Sequence, residues 1–165
     1  MMPMTNGVSK DNVIKIVITQ EIVDEYNDYY LARNKRARKK PIEKPIIPSL
    51  NVWIILRRPM MNAMKQRHKN FIIWLINKLG YQNMKLNSFT MHCKIFMPSK
   101  RRCDCDNMTP KFWNDGFTES GFIVDDDYKH LHSLTIECGY DKDNPRTEIE
   151  FHILEDNIEE NKDES

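Results

Sequence analysis

Residues 88–121 read SFTMHCKIFMPSKRRCDCDNMTPKFWNDGFTESG. Over the first ten positions Phe89, Met91, Cys93, Ile95 and Met97 fall on one side, and Ser88, Thr90, His92 and Lys94 fall mostly on the other. A period of two with apolar residues on one side predicts a half-buried β-strand. Pro98 closes it. A loop from Ser99 to Asn107 turns from basic to acidic, and Thr109-Pro110 then opens a short helix expected to reach about Ser120. Thr109 suits its N-cap and Pro110 its first position, while Gly121 stops it.

The flanking sequence adds further elements. Val13–Thr19 is short and β-branched, a strand. Ile22, Val23, Tyr26, Tyr29 and Tyr30 have helical spacing, and the segment ends in Arg33, Lys35, Arg36, Arg38, Lys39 and Lys40. Pro41, Pro45 and Pro48 make a stiff connector that no helix crosses. The clearest helix starts at Pro59 and ends at Gly80, with Met60, Met64, Phe71, Leu75 and Leu79 in one stripe and Met61, Ile72 and Ile76 beside it. Lys65, Arg67, Lys69 and Lys78 lie largely off that stripe and give a positive exposed face. Beyond Asp125-Asp126-Asp127 an alternating stretch covers about 128–138. After an Asp-Asn-Pro turn comes a last strand with Ile149, Phe151 and Ile153 inward. Residues 1–11 and the acidic tail 155–165 lack a core pattern and are expected to be disordered. One domain over residues 12–154 follows, of α/β or α+β class, with a small mixed β-sheet packed against two or three helices.

Composition narrows the function classes. The chain has 165 residues, 40% hydrophobic and 30% charged, enough for one buried core. No apolar run is long enough to span a bilayer, the start has no apolar signal core, and four cysteines are too few for a disulfide scaffold. A soluble protein of a reducing compartment is expected. The net charge of +1 conceals a strong asymmetry. Residues 33–102 carry 18 Lys/Arg and one acid, Glu43, whereas residues 103–165 carry 18 Asp/Glu and 5 Lys/Arg. A block of +17 over 70 residues points to a nucleic acid or an anionic membrane, with no lipid-anchoring segment to favour the membrane; the alternative is that much of it is ordinary solvated surface. The Arg33–Lys40 cluster, with Arg36, Arg38 and Lys39, is either a DNA contact or a solvated or nuclear-targeting tract.

The chemistry concentrates between residues 100 and 126. Asp104 and Asp106 stand two apart, and in extended backbone such residues face the same side, roughly 6.5–7 Å apart at Cα. They can converge on one hard cation, with Asp125 and Asp126 supplying further oxygens; such a donor set selects Mg²⁺ or Mn²⁺. A cation of this kind serves phosphodiester hydrolysis, and the adjoining Lys100, Arg101 and Arg102 suit a phosphate backbone.

The stretch from Met97 to Asn107, then Lys111, Asp115, Gly121 and Asp125-Asp126, resembles the RusA family of Holliday junction resolvases. Pro48-Ser49-Leu50-Asn51 and the terminal strand Arg146–Leu154 extend the likeness to roughly residues 46–154. The resemblance implies a RusA-like fold and a Mg²⁺-dependent endodeoxyribonuclease that resolves four-way junctions by paired symmetric cuts in recombination and repair. It implies Asp104, Asp106 and Asp126 as metal-binding catalytic carboxylates, Lys111 as catalytic lysine, Arg101 and Arg102 as DNA contacts, and a homodimer. It also implies a place beside DNA in the cytoplasm of a bacterial or phage-infected cell. Three departures stand out: three residues rather than two separate Asn107 from Lys111, Cys103 replaces a basic residue, and residues 20–45 form a basic insertion. A flap or other branched-DNA nuclease of the same family is the nearest alternative. A zinc-stabilised, non-catalytic nucleic-acid-binding protein using His92, Cys93, Cys103, Cys105, His130, His132 and Cys138 is a further one, although no Cys-x₂-Cys pair exists.

Overall fold

In a computed structural model, residues 6–8 and 12–154 are described. The elements are β1 (Gly7–Val8), β2 (Val13–Thr19), α1 (Gln20–Arg33), α2 (Leu50–Ile54), α3 (Arg58–Leu79), β3 (Phe89–Met97), α4 (Lys111–Glu119), β4 (Leu131–Tyr140) and β5 (Arg146–Ile153), with a 3-10 turn at Cys105–Asn107. Of the start expected to be disordered, Gly7–Val8 pairs with β2. The rest of residues 1–11 and the tail 155–165 lie outside the described residues. The strands form one sheet in the order β1-β2-β5-β3-β4. All pairs are antiparallel except β3 with β4, which run parallel because α4 carries the chain back across the sheet. The expected small mixed α+β sheet is therefore the observed one.

Alternation in β3 buries Phe89, Met91, Cys93 and Ile95. On β5, Ile149 sits between Ile16 and Cys93, and Phe151 between Ile14 and Met91. All six are buried, so the three central strands share one apolar face. Helix α3 begins with Pro59 in its first turn and ends at Gly80, whose φ of 77° is the left-handed conformation that glycine adopts without strain. Met64, Phe71, Ile72, Leu75 and Ile76 face the core, but Met60 is exposed: the helix meets the core only from Met64 onward.

Residues 20–45 are part of this core. Thr19 caps α1 by accepting from Ile22 N, and Tyr26 packs against Phe71 and Trp74 at ring separations of 5.1 and 5.2 Å. The Asn27 amide is buried and makes paired bonds with the Ile42 backbone, donating to its carbonyl at 2.8 Å and accepting from its N–H at 3.2 Å. Pro41, Ile42 and Pro45–Pro48 are buried, and Thr147 Oγ1 donates to the Pro45 carbonyl at 2.8 Å. The proline connector is thus a docked strap, stiff enough to lose little entropy when it packs. Only its charged neighbours, among them Arg36, Arg38 and Lys39, are left to solvent.

Helix α4 packs on α3 through Gly116. A Cβ there would lie 2.6 Å from Ile72 Cβ and 2.9 Å from the Lys69 carbonyl oxygen, a backbone atom that cannot rotate away. Gly116→Ala should therefore force α3 and α4 apart and cost about 1–3 kcal/mol, the range for overpacking. Urea unfolding would show this as a lower midpoint. An unchanged midpoint would mean that the helices are not in contact there.

Candidate active site

The acid-bearing loop leaves the C-terminal end of β3. Lys100, Arg101 and Arg102 are all exposed; Lys100 Nζ lies 5.3 Å from the Tyr140 ring centre, and Arg102 Nε donates to Asp104 Oδ1 at 3.1 Å. Asp104 is extended, at φ −83° and ψ 110°, and its carbonyl accepts from Asn107 N at 3.0 Å. That bond closes the 3-10 turn containing Asp106. The extended geometry expected for the Asp104–Asp106 pair therefore ends at Asp104, because the backbone turns before Asp106. Both carboxylates are exposed.

The turn is held from beneath by sulfur. Cys138 Sγ on β4 donates to Cys105 Sγ at 2.9 Å, and Cys105 Sγ donates to the Ile136 carbonyl at 3.5 Å. Burial and contacts with the Cys105 and Cys103 thiols push Cys138 up to about 12. Beyond the turn, Met108 is buried and bridges to Ser49, so the Pro48-Ser49 element abuts the acid loop.

Lys111 opens α4 and is exposed, with Nζ 5.2 Å from the centre of the Trp53 ring. Lys65 Nζ on α3 lies at the same distance from that ring. Two ammonium groups thus gather at one indole, an arrangement that an anion would relieve. Thr109 stands one place from the cap position expected for it: Pro110 occupies the cap, and Thr109 Oγ1 accepts from Lys111 N at 3.4 Å. After α4 the chain turns at Gly121 and runs beside residues 83–86, where Leu86 N donates to the Phe122 carbonyl at 3.0 Å and Val124 N to the Leu86 carbonyl at 3.0 Å. This fixes the start of the Asp125–Asp127 turn.

Asp126 is the perturbed acid of the set. Partial burial, a hydrogen bond with Asp125, and the negative charges of Asp125 and Asp115 raise it above the usual carboxyl range. Asp125 and Asp115 are therefore the acids that act on Asp126. The loop of Asp104 and Asp106 and the Asp125–Asp127 turn are anchored at different points along β4. Cys105 touches Ile136, whereas the Asp127 carbonyl accepts from Leu131 N at 2.9 Å. Five residues of strand separate these anchors, roughly 16 Å at ~3.3 Å each. Among the described residues no group of three or more His, Cys, Asp or Glu side chains is placed to hold a metal ion.

A cleft of about 280 Å³ between α3 and α4 is lined by Asn62, Lys65, Gln66, Lys69 and Asp115. Lys65 and Asp115 were not among the site residues expected from sequence. The available signal was position: Lys65 and Lys69 are one helical turn apart on the charged side of α3, and Asp115 is one turn beyond Lys111 on α4. No protein-family model matches the chain, and no curated protein matches it.

The raised value of Asp126 has a consequence for stability. A carboxyl raised in the folded state contributes fully below its unfolded value, and that contribution is lost as pH rises through the folded value. Above that value the folded protein bears the strain of an ionised Asp126. Asp126→Asn should raise the melting temperature at pH 7 and leave it unchanged near pH 3, where the acid is protonated in both states. Equal melting of the two proteins at pH 7 would show Asp126 to be unstrained.

Proposed function

We propose that the chain is a RusA-like, Mg²⁺-dependent endodeoxyribonuclease that resolves four-way DNA junctions. The observation that carries this is the strained acidic group at Asp126, one crossover away from Asp104 and Asp106. Perturbed carboxyls gather at functional sites more often than on ordinary surface. Support also comes from what lies along that crossover: the Lys100–Arg102 run, Lys111 with Lys65, and the acids on either side of α4. The donors are hard oxygens, largely solvent-accessible, and suit a small divalent cation. Asp104 and Asp106 on the loop, and Asp126 assisted by Asp125 beyond α4, would hold Mg²⁺ or Mn²⁺ once a shift of the loop brings together two sets that are not gathered at rest. When bound, that ion polarises the scissile phosphate and neutralises the carboxylates.

The chain's own residues then do the rest. Lys100, Arg101 and Arg102 grip the phosphate backbone beside the acid loop. Lys111, with Lys65 behind it, presents positive charge to the phosphoryl oxygens as negative charge builds on them. Arg36, Arg38 and Lys39, just before the docked strap, extend the basic surface. Resolution of a junction needs two cuts related by a dyad, so the active form is a homodimer with one acid set per protomer. Among the described residues no helix is long and apolar enough to cross a membrane. The substrate places the protein beside DNA, in the cytoplasm of a bacterial or phage-infected cell.

Cleavage assays on four-way, three-way, flap and linear DNA with and without Mg²⁺ test the proposal. Four-way junctions should be cut in symmetric pairs. Preference for flaps would assign the protein to another branched-DNA nuclease, and stoichiometric zinc surviving dialysis with no cleavage would make it a zinc-stabilised binding module. Asp106→Asn should abolish cleavage while junction affinity holds or rises, since removing a negative charge does not weaken phosphate contact. Lys111→Ala should lower turnover by about 10²–10³-fold with little change in affinity, the usual loss for a group acting on transition-state charge. Unchanged turnover with weaker binding would make Lys111 a backbone contact only.

Salt dependence reports on the strap. Deleting it would remove core residues, so substitution is the appropriate change. If Arg36, Arg38 and Lys39 each meet a phosphate, replacing all three with Gln should reduce the slope of log affinity against log salt by about 2–3. An unchanged slope would make the cluster a solvated surface.

A further inference from the structure

Three of the four cysteines have no part in nuclease chemistry, yet they meet at the base of the acid loop. Cys93 is buried in the sheet, whereas Cys103, Cys105 and Cys138 are partly exposed free thiols. Cys138 Sγ and Cys105 Sγ are 2.9 Å apart, and Cys103 also contacts Cys138. Cys138 belongs to β4, which among the described residues pairs only with β3 and so lies at the sheet edge. Cys105 stands between Asp104 and Asp106. The two sulfurs are already in contact, and because both residues are partly exposed a small solute can reach them.

We propose that Cys105 and Cys138 form a redox-modification site, in which oxidation by a peroxide locks the acid loop to β4. The Cys105 thiol takes an oxygen from hydrogen peroxide to become a sulfenic acid, releasing one water. The second sulfur displaces that hydroxyl as another water and forms the disulfide. Two thiols lose two electrons and two protons, and one peroxide becomes two waters. A dithiol reverses the step by exchange.

The effect on activity rests on the nuclease reading above. The thiol contact holds the loop at Ile136, five strand residues from the anchor of the Asp126 group. For Asp104 and Asp106 to share a cation with Asp126, the loop must shift towards that group. A disulfide forbids the shift. Oxidation therefore holds the carboxylates apart, and reduction frees them. Cys103, two residues away on the same loop, is not required for the bond.

Treating the full-length protein with hydrogen peroxide, alkylating the remaining thiols and measuring mass tests this. The oxidised protein should carry two alkyl groups instead of four. Trypsin should then release residues 103–111 joined to residues 130–142. Cys103→Ser should retain the cross-link, and Cys105→Ser and Cys138→Ser should each lose it. Four alkylated thiols after peroxide, or a cross-link through Cys93, would overturn the site. Junction cleavage by the oxidised protein should fall at least tenfold and recover with dithiothreitol, while Cys138→Ser should cut equally well with and without peroxide. An intact cross-link with undiminished cleavage would overturn the locking role. Absence of cleavage even in the reduced protein would instead count against the nuclease reading, because the cross-link map does not depend on activity.

Discussion

Phe151 touches three other phenylalanine rings, and this contact governs where the acidic residues can go. Its ring lies 5.9 Å from Phe89, 5.2 Å from Phe117 and 4.8 Å from Phe122, the last two edge to face. Phe89 begins β3, Phe117 lies in α4, and Phe122 stands three residues before Asp125. One central strand thus fixes the start of the crossover, its helix and its exit. Edge-to-face packing is directional as well as apolar, so it sets the orientation of α4 besides burying it. The carboxylates can be exposed and mutually repulsive because the hydrophobic energy that holds their backbone comes from elsewhere in the unit.

The face of the sheet away from Phe151 is organised by charge. Glu148 is 7% exposed, yet Lys15 Nζ lies 2.6 Å away and Arg146 Nε 3.0 Å away. Burial alone would raise its pKa, but the two cations outweigh burial and hold it below the ordinary range. Arg146 also bonds Asp141 at 2.8 Å and stacks over Phe96 at 3.8 Å. Acids and bases on this face neutralise one another locally. On the crossover the pattern is different: among the described residues Asp104 pairs with an exposed arginine, and Asp126 feels the charges of Asp125 and Asp115. Charge is thus compensated on this face of the sheet and less so on the crossover.

The period-two and helical patterns made most of the fold legible, because burial on one side of a strand or helix leaves its period in the residues. Val13–Thr19, the helix from Arg58 to Leu79 and the strand from Phe89 to Met97 are of this kind. The strap from Pro41 to Pro48 was legible only as a stiff connector, since prolines reveal where a helix cannot form but not where the chain docks. Its docking depends on Asn27 and Thr147, each distant in sequence. The 3-10 turn at Cys105–Asn107 was invisible for a different reason: three residues are too few to express a period. The acids were found by residue type and spacing, but their grouping into Asp104 and Asp106 on one side and Asp115, Asp125 and Asp126 on the other depends on tertiary anchors. Sequence spacing carries no information about those.

The same anchors bear on how such a site can be tuned. In a parallel β-α-β unit the loop after the first strand and the turn before the second lie towards opposite ends of the two strands. Carboxylates drawn from both can meet only if the loop folds back over the helix. Such a loop must be pliable, and its resting position is set by weak contacts. Here those contacts are a thiol hydrogen bond, a bond from sulfur to a carbonyl and the bridge at Met108. Sulfur hydrogen bonds are weak and easily exchanged. They suit a segment whose position is set by contacts that exchange easily. The unusual Cys-Asp-Cys-Asp order is then intelligible as two interleaved sets of residues, with the carboxylates exposed to solvent and the thiols of Cys105 and its partner Cys138 turned to the sheet.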